Sequence, residues 1–398
     1  MIAFLGFILL FFVGVSLLFL LNPKLSLLLR TGMAFPAGFG ILATSVFILE
    51  LISVPYTLAS SVIALVFFLL LFVFLKWRSW VIYFREQAIQ ELKALKPKSL
   101  HLAWILFFAC LCFVVYAITV KSLFWPTTAY DSIAGYDYVA KVTAAEGTLN
   151  NSLNDPLNYT FTLRTLYPPL VPISFAFAYL CGLATSKIVC SIFFISMLIT
   201  FYGLIRYYST HFNAVVFTLL LAMVPELLAM SALSLSNIPS VFYTTAGVGA
   251  LILFLRNQNK SFLWLSICML SFAVFTRSEG IVYAAAAGFI FLFWAVPRKK
   301  WKLIGIFAAV PLVYYISWEL YLKYVWQLSE HKQPFIYKLF FDADRLSILM
   351  DNVMKTSFTT QYFGLTVYIF IAAVLISIRS IYLKKQSWHL LAFIITSW

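Results

Sequence analysis

The chain is 398 residues long, 63% apolar and 11% charged, with a mean hydropathy of +0.96. A soluble domain carries about a quarter charged residues, so this composition excludes a water-soluble enzyme and predicts an all-α polytopic membrane protein. The net charge of +14 does not indicate nucleic-acid binding, because the basic residues fall in short clusters between apolar stretches, the pattern that sets membrane orientation.

Apolar runs long enough to cross a hydrocarbon core of about 30 Å are centred on 2–21, 33–52, 58–75, 100–120, 188–205, 213–230, 238–255, 261–276, 281–297, 303–322 and 362–383. With an apolar start at 388–398, they predict about eleven to twelve transmembrane helices. The first run, Ile2 to Leu21, lacks a basic flank before it and reads as a retained helix rather than a cleaved signal. Lys24 and Arg30, the basic residues of 76–98, Arg206, Arg256 with Lys260, Arg298 with Lys299, Lys300 and Lys302, and Lys384 with Lys385 are expected in the cytoplasm. Segment 76–98, with Trp77, Trp80 and six basic residues, reads as lying along the anionic inner leaflet.

An apolar segment at 167–185 decides the parity. A full crossing there would place Arg206 and the Arg256 and Lys260 pair outside, so it is expected to be a re-entrant or membrane-surface helix. Its opening agrees, because Pro168, Pro169 and Pro172 lack the amide donors a spanning helix needs. Two long external loops follow: 121–166 with Asp131, Asp137, Glu146 and Asp155, and 323–361 with Glu330, Asp342, Asp344 and Asp351. Short external turns are expected near 53–57, 231–237 and 277–280. The whole of 1–398 reads as one transmembrane domain, with N-terminal helices and the cytoplasmic segment over 1–99, a core over 100–300 and C-terminal helices over 301–398. The last residues, Ile394 to Trp398, stop short of a complete span, so the chain reads as a fragment of a longer one.

Cys110, Cys112, Cys181, Cys190 and Cys268 all lie in apolar segments without a CxxC spacing, which argues against a disulfide framework or a zinc site. His101, His211, His331 and His389 are scattered singly. Phosphate loops, nucleophile elbows, HExxH and dinucleotide glycine patterns are missing from the sequence. The paired glycines Gly38/Gly40 and Gly247/Gly249 read as close helix packing. The sequons at Asn150 and Asn158 carry little weight, since the pattern is frequent by chance.

The first external loop is distinctive: Trp125-Pro126-Thr127-Thr128-Ala129-Tyr130-Asp131, then Ala140-Lys141, Glu146-Gly147 and Tyr167-Pro168-Pro169-Leu170. Its order and spacing resemble the type-C, polyprenyl-phosphate-sugar-dependent membrane glycosyltransferases. That superfamily includes protein O-mannosyltransferases, lipid A aminoarabinose transferases and oligosaccharyltransferases. Leu235-Ser236-Asn237-Ile238-Pro239-Ser240 falls where relatives carry a small residue followed by Asp-Leu-Pro, and Thr276-Arg277-Ser278-Glu279-Gly280 is similar to their basic-Glu-Gly element. The resemblance covers roughly 100–300. It implies a sugar donor on a polyprenyl-phosphate carrier, a glycan, lipid or protein acceptor, and an active site facing outward from a bacterial cytoplasmic membrane.

Such chemistry has its own physical requirements. An acceptor hydroxyl needs a positioned base, which a carboxylate at the membrane surface can supply, and the departing lipid phosphate needs a fixed cation. Asp131, at the head of the loop, is the first candidate base, against a reading as a helix-capping or solvated Asp. Asp137 is the second; six residues on, it would lie about 120° away on an ideal helix. Arg277 and Lys141 are candidate donor-phosphate contacts, with Glu279 orienting Arg277 and Tyr167, Pro168 and Pro169 shaping the return to the membrane. Asn237 replaces an acid found in relatives, and a neutral amide binds divalent cations poorly, so no metal or other cofactor is expected; Glu226 is the acid placed to substitute. Two other classes compete. A transporter or lipid flippase would use ionisable residues in mid-membrane, where only Glu50, Glu226 and Glu319 are candidates. A non-catalytic, degenerate transferase-like subunit would account for Asn237.

Overall fold

The computed structural model describes residues 2–22, 25–77, 81, 102–154, 163–326, 343–369, 371–372 and 375. Most of the expected cytoplasmic segment 76–98, half of the span at 362–383 and all of 388–398 lie outside the described residues. So do Lys24, Asp155, the Asn158 sequon, Glu330, Asp342, His101, His331, His389, Lys384 and Lys385.

Every regular element among the described residues is helical, and seven helices are long and apolar enough to cross a membrane. They are α1 (Ile2–Leu21), α2 (Leu27–Leu51), α3 (Leu58–Leu75), most of α4 (Leu102–Phe124), and, further on, Lys187–Arg206, Asn237–Asn257 and Trp301–Tyr324. Between α4 and the fifth of these lie α5 (Asp137–Glu146) and α6 (Leu170–Leu180), which makes Lys187–Arg206 α7. The chain continues with α8 (His211–Ala222), α9 (Pro225–Met230), α10 (Asn237–Asn257), α11 (Lys260–Thr276), α12 (Gly280–Ala295), α13 (Trp301–Tyr324), α14 (Ala343–Phe358) and α15 (Thr360–Phe363).

Local sequence explains most of the boundaries. Thr57 opens α3 with a reciprocal cap: its Oγ1 accepts from the Ser60 N–H at 3.1 Å, and Ser60 Oγ accepts from the Thr57 N–H at 2.9 Å, satisfying donors that a helix start leaves over. The run expected as one span at 213–230 is two helices, because Pro225 has no amide to continue α8 and holds Val224 in an extended conformation. The runs at 261–276 and 281–297 form helices of 17 and 16 residues, short of the roughly 20 that a straight crossing takes.

The bundle is close-packed where small residues allow it. A Cβ on Gly14 would fall 1.8 Å from the Ala34 carbonyl oxygen, and one on Gly38 would fall 2.1 Å from that of Leu10. Glycine at both positions is therefore what lets α1 and α2 touch backbone to backbone. α2 also packs on α7, α10 pairs with α11, and α13 closes against α11 and α12.

The segment 167–185 holds α6, only 11 residues long, or about 16 Å at 1.5 Å per residue, so it does not reach across a membrane. It is enclosed by protein, as the re-entrant alternative allows: Leu170 through Ala178 are all buried, packed against α2, α5, α7 and α11. Tyr56 donates to the Ile173 carbonyl at 2.9 Å, pinning α6 to the turn after α2. Periodicity gave no warning of this enclosure, because a helix apolar on all sides suits lipid and protein neighbours equally.

Candidate functional site

Loops and helix ends from distant parts of the chain meet at one end of the bundle. The short turn Leu163–Leu166 leads into Tyr167, and the Trp318 indole of α13 donates to the Leu166 carbonyl at 3.1 Å. Tyr167 becomes the centre of a cluster. The Tyr136 ring lies 5.8 Å from it, and the guanidinium carbons of Arg164 and Arg277 each lie 5.7 Å from its centroid, within reach of its negative face.

Each arginine is tied to one acid. Arg164 Nη2 donates to Asp131 Oδ1 at 2.6 Å and Nη1 to the Tyr167 hydroxyl at 3.4 Å. Arg277, at the end of α11, forks onto Glu279 at 3.2 and 2.9 Å and donates through Nη1 to Asn237 Oδ1 at 2.9 Å. Burial pushes the Glu279 carboxyl up, but Arg277 outweighs it and holds the group below the ordinary carboxylate range, so the pair is ionic at neutral pH. Burial pushes the Tyr136 phenol up, against the Ser236 hydroxyl that donates to it at 2.9 Å. Tyr136 is therefore a neutral O–H at pH 7 and no base.

Asp131 keeps one oxygen open. Its side chain is 46% exposed, and Arg164 is its one polar partner among the described residues, through Oδ1. Asp131 immediately precedes a π-helical turn, Ser132–Tyr136, but its side chain makes no cap hydrogen bond, so the capping role does not apply. Within that turn Gly135 leaves helical geometry at φ −135° and ψ −110°. The Arg164 stem lies against Gly135, where a Cβ would meet its Cγ at 2.7 Å.

Asp137, just past the kink, turns the other way. Its carboxylate is 6% exposed, accepts from the Tyr179 hydroxyl and from Ser186 Oγ at 2.5 Å, and pairs with Lys141 at 2.9 Å. Burial pushes it up, and these donors together hold it below the ordinary range. Ser186 is also bonded to Ser234 at 2.6 Å, whose carbonyl accepts from Ser132 Oγ at 3.1 Å. Helix α5 is thus fastened to α6, to the start of α7 and to the turn before α10. Buried Lys187 ties the start of α7 to the Trp125 carbonyl.

The structure therefore brings Asp131, Arg277, Glu279, Asn237 and Tyr167 into one cluster, with Pro168 and Pro169 buried behind it at the start of α6. It places Lys141 apart, on Asp137 and 5.4 Å from the Tyr179 ring. Glu226 sits in the first turn of α9 and makes no hydrogen bond or ion pair with the cluster among the described residues. Sequence reasoning passed over Arg164, Tyr136, Tyr179 and Ser186. Arg164 alone carried a signal: a single arginine three residues before the Tyr-Pro-Pro element, in a loop otherwise rich in acids. No family profile, curated protein or solved structure matches the chain.

Proposed function

We propose that the chain is a multi-pass membrane glycosyltransferase that moves a sugar from a polyprenyl-phosphate carrier to a hydroxyl acceptor at the outer face of a bacterial cytoplasmic membrane. The observation that carries the reading is the joining of Asp131 to Arg277 through Arg164 and the Tyr167 ring. A carboxylate with one open oxygen, held by Arg164 in a cluster that also contains Arg277, suits an inverting displacement on a sugar phosphate.

In that displacement the acceptor O–H gives its proton to Asp131 Oδ2 while the acceptor oxygen bonds the anomeric carbon. The bond from that carbon to the phosphate oxygen breaks, and the electron pair leaves on the lipid phosphate, where Arg277 and Arg164 meet the developing charge. Asn237 presents an amide already engaged by Arg277, so the mechanism is routed through no metal. The sequence resemblance supplies the donor class. With the basic clusters at Arg206, Arg256 and Arg298 in the cytoplasm, the Tyr167 end faces outward. α8 with α9 then makes one broken crossing, and α6, too short to cross, preserves the parity. Glu50, one of the acids a transporter would use in mid-membrane, stands at the end of α2, which favours the enzyme.

Purified protein in detergent, given a panel of polyprenyl-phosphate sugars and hydroxyl acceptors, should transfer one sugar with inversion at the anomeric carbon. Saturable donor binding without transfer to any acceptor would favour the degenerate subunit. Neither binding nor transfer would reject the donor class.

A further inference from the structure

The second long loop contains α14, a helix of 16 residues whose pattern differs from that of every span around it. Over residues 349–356 its side chains fall into rows four residues apart, which lie one above another on a helix. Leu349 with Val353 and Met350 with Met354 form two neighbouring rows, and Asp351 with Lys355 and Asn352 with Thr356 form the other two. The helix is thus divided lengthwise into an apolar half and a polar half, with Ile348 and Ser357 departing from the division at either end. Leu349, Met350 and Met354 are each more than half exposed. On the polar half, Lys355 and Asp351 pair at 2.5 Å and are exposed as well.

The neighbours of α14 fix its level in the bundle. It packs chiefly on α15, which in turn packs on α9. Past α15, Gly364 turns the chain at φ 59° and rests on Pro225, whose Cδ a Cβ at 364 would meet at 3.5 Å. The Tyr368 hydroxyl then reaches back to the Phe358 carbonyl at 2.7 Å. α8, 12 residues long, rises about 18 Å from the Arg206 end of the bundle. Pro225 therefore stands inside a hydrocarbon core about 30 Å thick, in the half nearer the Tyr167 cluster, and the end of α14 is held close to that depth. Tyr362 and Tyr368 beside it are 38% and 45% exposed, rings of the kind that gather at a membrane–water boundary.

We propose that α14 lies along the membrane surface on the Tyr167 side, with the rows of Leu349 and Met350 in the lipid and those of Asp351 and Asn352 in water. Its two halves choose this occupant. Water would have to solvate the exposed leucine and methionines, hydrocarbon would have to accept Asp351 and Lys355, and a lipid boundary meets each half with its own solvent. A second protein would have to be recruited, whereas the lipid boundary is already alongside: α14 follows α13 in the chain, and its far end is bonded to the segment that rests on Pro225. No residue of the Tyr167 cluster takes part, so the placement stands or falls independently of the transferase reading.

Spin labelling of the full chain in lipid nanodiscs, one copy to a disc, tests it. In a chain carrying Cys110→Ala and Cys112→Ala, which removes the two exposed thiols, a nitroxide is attached in turn at Met350→Cys, Asn352→Cys, Met354→Cys and Thr356→Cys. All four positions are exposed, so the labelled chains should melt with the unlabelled one. Collision with oxygen, which concentrates in lipid, relative to collision with a water-soluble nickel chelate should be several-fold higher at 350 and 354 than at 352 and 356. The same ratio at all four positions, or a preference for the nickel chelate at 350 and 354, would put the helix in water and overturn the proposal. Labels at 350 and 354 shielded from both reagents would put protein rather than lipid against the apolar half, and would overturn it equally.

Discussion

Asp131 and Asp137 are the same residue type, six positions apart in one loop, and the structure gives them opposite surroundings. Asp131 stands half exposed with one arginine on one oxygen, whereas Asp137 is buried with a tyrosine, a serine and a lysine on its two. The kink at Gly135 separates them. A carboxylate whose bonds are all made is a fastener; one with a free oxygen is placed to take a proton. What a residue type can do here depends on how many of its bonds the fold has already used.

That contrast can be pressed hardest at the fastener. Asp137→Ala would leave the buried Ser186 hydroxyl and the partly buried Tyr179 hydroxyl without this acceptor, at about 1–3 kcal/mol for the buried one, while the half-exposed Lys141 returns to water. A fall in melting temperature in detergent is expected, with lost activity following from lost structure. The natural chain should show the same weakness on acidification. Because the folded Asp137 titrates below the ordinary value of 3.8, its contribution is present above that value and fades as pH falls beneath it. A variant as stable as the natural chain would remove Asp137 from this role.

At the other pole, Arg277→Ala should weaken donor use by about ten- to a hundredfold, the worth of one charge-assisted contact of roughly 1.5–3 kcal/mol. Arg277→Lys should recover only part of it, since Lys keeps the charge but loses the planar fork that spans Glu279 and Asn237. Donor kinetics that do not change in the Ala variant would detach Arg277 from the site. Gly135→Ala sharpens the comparison from between the two poles. Its Cβ would press on the Arg164 stem at 2.7 Å, an overpacking cost of about 1–3 kcal/mol that moves Arg164 off Asp131 and lowers turnover more than it lowers the melting temperature. Equal turnover in the natural and Ala chains would show that Arg164 does not need its seat on Asp131.

Much of this was legible in the sequence, and the exceptions have physical causes. Hydropathy located the long helices because crossing a membrane demands length and apolarity, both local properties. It misread 213–230, where one missing amide at Pro225 outweighs an unbroken apolar run, and it did not place α6 inside the protein. That Asp131 and Arg277 fall in one cluster around Tyr167 was suggested by motif order, even though their elements lie far apart in the chain. The partners of Asp137 were not, because Tyr179 and Ser186 arrive from 42 and 49 residues downstream and a lone Tyr or Ser in an apolar segment carries no pattern. Arg164 did carry a signal, as the single arginine of an acid-rich loop just before Tyr-Pro-Pro, but it lies outside any periodic element and was passed over.

The direct test of the central claim is turnover of Asp131→Asn with a polyprenyl-phosphate sugar, measured beside its melting temperature and donor affinity. The Asn side chain keeps the size of Asp and can still accept from Arg164, but it cannot take a proton, and removing a general base costs about 10² to 10⁴ in rate. The account predicts a folded variant that binds donor and loses at least a hundredfold in transfer. An Asp131→Asn protein that transfers sugar at the natural rate would contradict it.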